Sequence, residues 1–284
     1  MNRFDVLSPG PLTTVQDAGR PGHAHEGVSP SGYLDVPAAT LANRLVGNDP
    51  GAALLETTMT GPTLHYVGDR ATVVALTGAP APLRVGDRAA PVYASVTVRP
   101  GEQVQVGAAA TGLRSYLAVS GGLQVPMTLG SRSTDLLGGL GPPPLRAGDR
   151  LALGKPWPPA AIDVAPVAGL DPVPTLRVVP GPRQEWLVPD ALDVLTGQDW
   201  TVSDRSNRVG VRLSGGPIAW ATEDELPSEG MTVGAVQILP NGQPVIFLAD
   251  HPVTGGYPVL AVLRESARPA AAQLRPGGTV RFAV

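Results

Sequence analysis

Hydrophobic and polar positions along this chain alternate or cluster in short runs, seldom longer than a strand. The clearest pattern runs from Ser228 to Pro258. Val233–Leu239 is mostly apolar and β-branched, Pro240-Asn241-Gly242 is a turn signal, and Pro244–Ala249 is a continuous apolar run of strand length, so a β-hairpin is predicted. Gln237 is the polar exception within the first strand. The hairpin's open ends carry Ser228 and Glu229 on one side and Asp250, His251, Thr254 and Gly255-Gly256 on the other. A ribbon that returns on itself brings such ends together, so Glu229, Asp250 and Thr254 are expected at one mouth.

The same short-run pattern governs residues 61–154. Thr63–Val67, Ala71–Leu76, Leu83–Val85, Ser95–Val98, Val104–Val106 and Tyr116–Val119 are strand candidates separated by Gly-Asp or Pro-Gly turns, a spacing that suggests a barrel or sandwich. Phe4–Leu7 reads as a first strand. A turn followed by an alternating strand recurs at 99–106, 146–153 and 275–282 without a fixed period, and the last two copies are candidate closing strands of successive domains. Only Tyr33–Gly47 has a strong helical pattern, with Asp35 as cap, Pro37 in the first turn and Ala38 or Ala42, Leu41 and Leu45 on one apolar face. Trp186–Leu195 is a second, amphipathic candidate. The proline-rich stretch 156–175 reads as a linker between an N-terminal β-rich subdomain (1–155) and a C-terminal barrel (176–284).

Composition strengthens the mainly β reading. Gly 35 and Pro 32 leave little room for long helices, and a hydrophobic fraction of 43% argues against disorder. The absence of cysteine excludes disulfides, thiolate catalysis and zinc–cysteine sites. A net charge of −3 with no basic run gives no reason to expect nucleic acid. No signal-like N-terminus and no membrane-length apolar run stand in the sequence, so a soluble cytoplasmic protein is the expectation.

The remaining chemistry is that of carboxylates, amides and arginines. Asp17, Glu56, Glu229 and Asp250 are candidate general bases. Gln16, Asn207 and Gln237 can hydrogen-bond an amide or lactam; Arg20, Arg132 and Arg208 can hold a carboxylate or phosphoryl group. Two readings stay open at several of these positions. Asp17 and Arg20 either brace a loop locally or act on a ligand. The loop Gly130-Ser131-Arg132-Ser133-Thr134-Asp135 is either a polar turn or an anion cradle. Arg208 and Arg212, four apart, share one side of a strand if Val209 and Val211 point to the core. His23, His25 and Glu26 have no paired histidine spacing elsewhere, and no metal is expected. No P-loop, G-x-S-x-G elbow or dinucleotide fingerprint is present.

Several blocks resemble one family. They are T-T-V-Q-D-A-G-R-P-G (13–22), P-S-G-Y-L-D (30–35), A-N-R-L-V-G-N-D-P (42–50), S-N-R-x-G-x-R-L (206–213) and S-E-G…G-A-V-Q…N-G-Q-P-V…L-A-D…T-G-G-Y-P (228–258). They are similar to the carboxyltransferase subdomain 2 family, which includes KipA, allophanate-hydrolase-subunit-2-type proteins and the C-type subunit of ATP-dependent 5-oxoprolinase. The resemblance spans Leu7 to Phe282; Asp250-His251-Pro252-Val253-Thr254 departs from the usual Arg-Gln-Thr-like stretch. It implies cyclophilin-like β-barrel subdomains. For members like the C-type subunit of 5-oxoprolinase, it implies opening of 5-oxoproline to glutamate with ATP and partner subunits of the A and B (KipI-like) type. ATP would be bound with those partners. Lys155, the sole lysine, lacks a biotin-carrier setting, so no attached biotin is expected. On this reading Asp17, Glu229 and Asp250 are the catalytic candidates. Gln16, Arg20, Asn207, Arg208, Gln237, Thr254, Gly255, Gly256 and Tyr257 would bind substrate, and Ser131, Arg132, Ser133 and Thr134 an anion. Alternatives are a regulatory partner of a KipI-like kinase inhibitor and the carboxyltransferase half of a urea carboxylase-like enzyme.

Overall fold

The computed structural model describes residues 2–156, 162–167, 169–222 and 224–284. The chain is mainly β and divides into two compact units. One comprises Met1–Arg20, Asp35–Asp135 and Gly139–Leu170; the other comprises Pro21–Leu34, Leu136–Gly138 and Asp171–Val284. The division is therefore not the single break expected from sequence, because two short excursions belong to the second unit. The expected linker falls partly on 157–161 and 168, outside the described residues.

In the first unit a six-stranded sheet and a five-stranded sheet share one core. Alternation explains the arrangement: Phe4 and Val6, Leu64 and Tyr66, and Val104 and Val106 point inward from the first sheet, while Val74, Leu76, Leu117 and Val119 come from the second. The helix Val36–Leu45 packs on strands Thr72–Gly78 and Arg114–Val119. It buries Ala38, Ala39, Ala42, Asn43 and Leu45, whereas Leu41, expected on the buried face, is only partly buried. Small side chains let the helix lie close enough for Thr77 Oγ1 to donate to the Ala38 carbonyl at 2.7 Å. Asp35 caps it as expected, accepting the Ala38 N–H at 3.1 Å, while its own N–H donates to the Tyr116 hydroxyl at 2.8 Å.

The second unit is built on a closed barrel of seven strands, in the order Thr175–Pro180, Val259–Leu263, Ala235–Ile238, Pro244–Phe247, Gly210–Ser214, Trp200–Val202 and Thr279–Ala283. The final strand closes it, pairing parallel to Thr175–Pro180 and antiparallel to Trp200–Val202. The predicted hairpin is present, with Val236 opposite Ile246, Gln237 opposite Val245 and Ile238 opposite Pro244. Val211, Val236, Ile238 and Ile246 fill the barrel with Trp200, whose indole N–H donates to the Leu195 carbonyl at 2.9 Å. The helix expected over 186–195 is instead a 3-10 turn, Gln184–Trp186, and a helix, Ala191–Thr196. Pro189 separates them, because proline removes an amide donor and disfavours helix in the residue before it.

Candidate functional site

Strand parity places a second row of side chains on the outside of this barrel. Arg212 is opposite Val245, and Val245 is opposite Gln237, so the three form a row across three adjacent strands; Gly210 and Phe247 form the next row. Because Val211, Val236 and Ile246 point into the barrel, this row points out. It borders a cleft of about 460 Å³ lined by Asn207, Val209, Arg212, Gln237, Val245, Phe247, Gly255, Gly256 and Tyr257, among others. The floor is apolar, with Val245, Phe247, Ala235 and Val259 forming a small cluster of their own.

One wall is a two-stranded ribbon, in which Glu229 pairs with Gly255 and Gly230 with Thr254. Gly255 leaves room there for the Gln237 and Met231 side chains. A methyl group at that position would lie 2.9 Å from Gln237 Nε2 and 3.1 Å from Met231 Sδ. Gln237 Nε2 donates to the Tyr257 carbonyl at 2.8 Å, which fixes the amide against the ribbon. Asn207 Oδ1 accepts the Val209 N–H at 2.8 Å and the Gly210 N–H at 3.3 Å, ordering the turn into the strand. Ser206 Oγ accepts the Arg212 N–H at 3.0 Å.

The structure brings together Asn207, Gln237, Gly255, Gly256 and Tyr257 as candidate binding residues, with Glu229 and Thr254 on the adjoining ribbon. Glu229 is not an open carboxylate: Oε1 accepts from Arg183 Nε at 2.7 Å and from Arg183 Nη2, and this pairing raises the arginine's pKa. Among the described lining residues there is no carboxylate, histidine or lysine.

Asp250 does not share the mouth. It is fully buried, and so is Arg208, which meets it through Nε and Nη2, both at 3.0 Å. Asp250 also accepts the Ser31 hydroxyl at 2.7 Å and the Leu136 N–H at 3.2 Å, while Arg208 donates to the Gly32 carbonyl at 2.7 Å. This network fastens both excursions, 21–34 and 136–138, to the barrel. Arg208 and Arg212 therefore do not share a strand face. Arg208 precedes the strand Gly210–Ser214 and turns inward, while Arg212 projects outward from it. Sequence reasoning favours Arg208; the spacing to Val211 is the signal that could have picked Arg212.

His251 follows the pair. Its Nδ1 lies 2.7 Å from the Pro252 carbonyl, which makes Nδ1 the protonated nitrogen, since a carbonyl only accepts. Burial pushes its pKa down, partly opposed by the Pro252 carbonyl and Asp250.

In the first unit, the predicted anion cradle holds the protein's own carboxylate. Asp17 Oδ1 accepts the Ser131 hydroxyl at 2.5 Å, the Ser133 hydroxyl at 2.7 Å and the Gly19 N–H at 2.8 Å, and Oδ2 accepts the Arg132 N–H at 2.6 Å. Thr134 Oγ1 donates to the Pro142 carbonyl at 2.8 Å, and the Arg132 side chain reaches the Val125 carbonyl and Gln124. With most of these donors engaged inside the protein, Ser131, Arg132, Ser133 and Thr134 form a loop braced around Asp17. Arg20 is buried and donates to the Ser133 and Thr128 carbonyls; Gln16 Nε2 donates to the Thr134 carbonyl at 2.9 Å. Glu56 and Arg114 form another buried pair, 3.7 Å apart. Among the described residues no group of three or more acidic or histidine side chains is disposed to hold a metal ion, and no helix is long and apolar enough to cross a membrane.

A closed barrel carrying an external cleft, in a chain that also holds a two-sheet unit, defines the class. The chain belongs to the family described as carboxyltransferase domain, subdomain A and B, whose model matches residues 26–284. It is 38% identical over 283 residues to the C-type subunit of 5-oxoprolinase from Escherichia coli (strain K12), covering 98% of this chain and 89% of that one. It is also 34% identical to urea amidolyase of Lachancea kluyveri, covering 98% of this chain but 17% of the larger protein. Among solved structures, TTHA0988 matches with a TM-score of 0.91 and 36% identity over 100% of this chain and 56% of that chain, so this chain spans little more than half of it. The Kluyveromyces lactis urea carboxylase matches with a TM-score of 0.90 and 32% identity over 99% of this chain and 27% of the other.

Proposed function

We propose that this chain is one component of an ATP-dependent 5-oxoprolinase, which binds the lactam in the external cleft of the barrel and turns over only with partner subunits. The observation that carries this reading is the composition of the cleft. Amide side chains and a guanidinium stand over an apolar floor, a set suited to a small polar ring, yet the described lining residues include no carboxylate, histidine or lysine. Such a site can hold and orient a lactam, and beyond the Tyr257 hydroxyl its proton-transfer groups have to come from elsewhere. Glu229, on the adjoining ribbon, pairs with the lining residue Gly255, and freeing its carboxylate from Arg183 is the step a partner would have to drive. A lactam is an unreactive amide; ATP, bound with the partner subunits, would supply the activation by phosphorylating the carbonyl oxygen. Similarity to proteins named as the C-type subunit of 5-oxoprolinase supports the reading, since that name implies further subunits.

The test is glutamate release from 5-oxoproline and ATP, by the chain alone and with A- and B-type subunits. Release only in the full mixture, with loss on Glu229→Gln while the complex still assembles, is the expected result. A well-formed complex without release would overturn the reading. The similarity to urea amidolyase favours a second reading, transfer of a carboxyl group between biotin and an amide. Inhibition of the assembled activity by avidin would select it.

A further inference from the structure

Arg212 is the arginine that lines the cleft on the barrel exterior, and among the described residues no carboxylate lies within salt-bridge distance of its guanidinium. Its backbone is fixed on both sides: by its pairing with Val245 and by Ser206 Oγ. It therefore presents an uncommitted fork of donors at one end of the cleft from a rigid strand. At the other end of the same row stands Gln237, whose Nε2 is committed to the Tyr257 carbonyl and whose Oε1 has no partner among the described residues. Arg212 and Gln237 are separated by one strand, so their backbones are about 10 Å apart, two strand spacings. Both side chains are long enough to converge over Val245. Gly210, in the next row, leaves the floor open beside Phe247.

We propose that Arg212 is the carboxylate anchor of this cleft and sets its preference for a lactam or amide bearing a carboxylate over an uncharged one of the same size. The inference rests on the reading of the cleft as the substrate site. A planar fork matches a carboxylate with two parallel hydrogen bonds, and the apolar floor strengthens that pairing by limiting water on one side. The Gln237 amide then faces the ring's own amide edge, where its Oε1 can accept from a lactam N–H. A substrate carrying its carboxylate a few bonds from a ring amide spans the row. An uncharged amide leaves the guanidinium unmatched.

The experiment compares 5-oxoproline with its carboxamide, 5-oxoprolinamide, which is of the same size but uncharged, with an NH2 donor in place of one carboxylate oxygen. Calorimetry on the full chain and on the assembled complex measures both affinities for the native protein, R212Q and R212K. The expected result is an affinity at least tenfold higher for 5-oxoproline in the native protein, loss of that preference in R212Q, and partial retention in R212K, a point charge without the fork. Equal affinity for the two compounds in the native protein, or an undiminished preference in R212Q, overturns the inference whatever the complex turns over. An Arg212-dependent preference for the acid in a complex that releases no glutamate supports the anchor and removes the 5-oxoprolinase reading instead. Arg212 is exposed, so the variants are expected to fold, and near-UV circular dichroism matching the native protein confirms it.

Discussion

At the scale of single residues, burial separates the polar groups that can meet a ligand from those that hold the chain. Asp250 and Arg208 are an ion pair from which water is excluded, with further hydrogen bonds to Ser31, Leu136 and Gly32. Removing one partner leaves a buried charge uncompensated, so Asp250→Asn is expected to cost about 3–5 kcal/mol, measured by urea denaturation. Replacing both by apolar residues should cost less than either single change. Gly255→Ala is expected to displace the Gln237 amide, losing its hydrogen bond at a cost of about 1 kcal/mol and weakening 5-oxoproline binding. His251 sets a pH dependence. Burial holds its folded pKa below the ordinary 6.5, so the unfolded chain takes up the proton more readily. Its contribution to stability is full above 6.5 and is lost as pH falls through that value towards the folded pKa. Melting temperatures between pH 8 and 5 should fall less steeply in His251→Gln than in the native protein.

At the scale of elements, local rules carried far. The hairpin around Pro240-Asn241-Gly242 and most of the short strands were legible because period-two alternation and turn residues act over a few positions. The helix was legible through its cap. Asp35→Ala should lower stability by about 1 kcal/mol, checked by thermal unfolding, since it strips an acceptor from the Ala38 N–H. What the local pattern missed has a common cause. The buried face of that helix is set by the strands beneath it, which take alanines in preference to Leu41. The direction of Arg208 is likewise set by Asp250, 42 positions away. Of the residues lining the cleft, Gln237 was legible as the polar exception inside the hairpin, Gly255–Tyr257 as the segment just after it, and Asn207 as an amide in the block 206–213. Arg212 was passed over because its orientation depends on where the strand Gly210–Ser214 begins.

At the scale of the whole molecule, the second unit is discontinuous. Segments 21–34 and 136–138 supply Ser31, Gly32 and Leu136 to the Arg208–Asp250 pair, and Leu34 to the barrel core. A fragment comprising only 171–284 lacks all of them. It is expected to express as a poorly structured chain, with weak near-UV circular dichroism and no cooperative melt, although it contains every strand of the barrel. A cooperative melt close to that of the full chain would show the excursions to be dispensable. The sequence alone determined the mainly β class, most strand and turn positions and the capped helix, because alternation, turn chemistry and capping are short-range, while the family was legible only through the resemblance of its motif blocks. The tertiary structure alone decided that Asp17 and Asp250 are internal braces, that the serine-rich loop surrounds the protein's own carboxylate, and that Arg212 stands at the cleft. Each of those outcomes depends on which distant groups the fold brings within hydrogen-bonding distance and which side chains it seals from water.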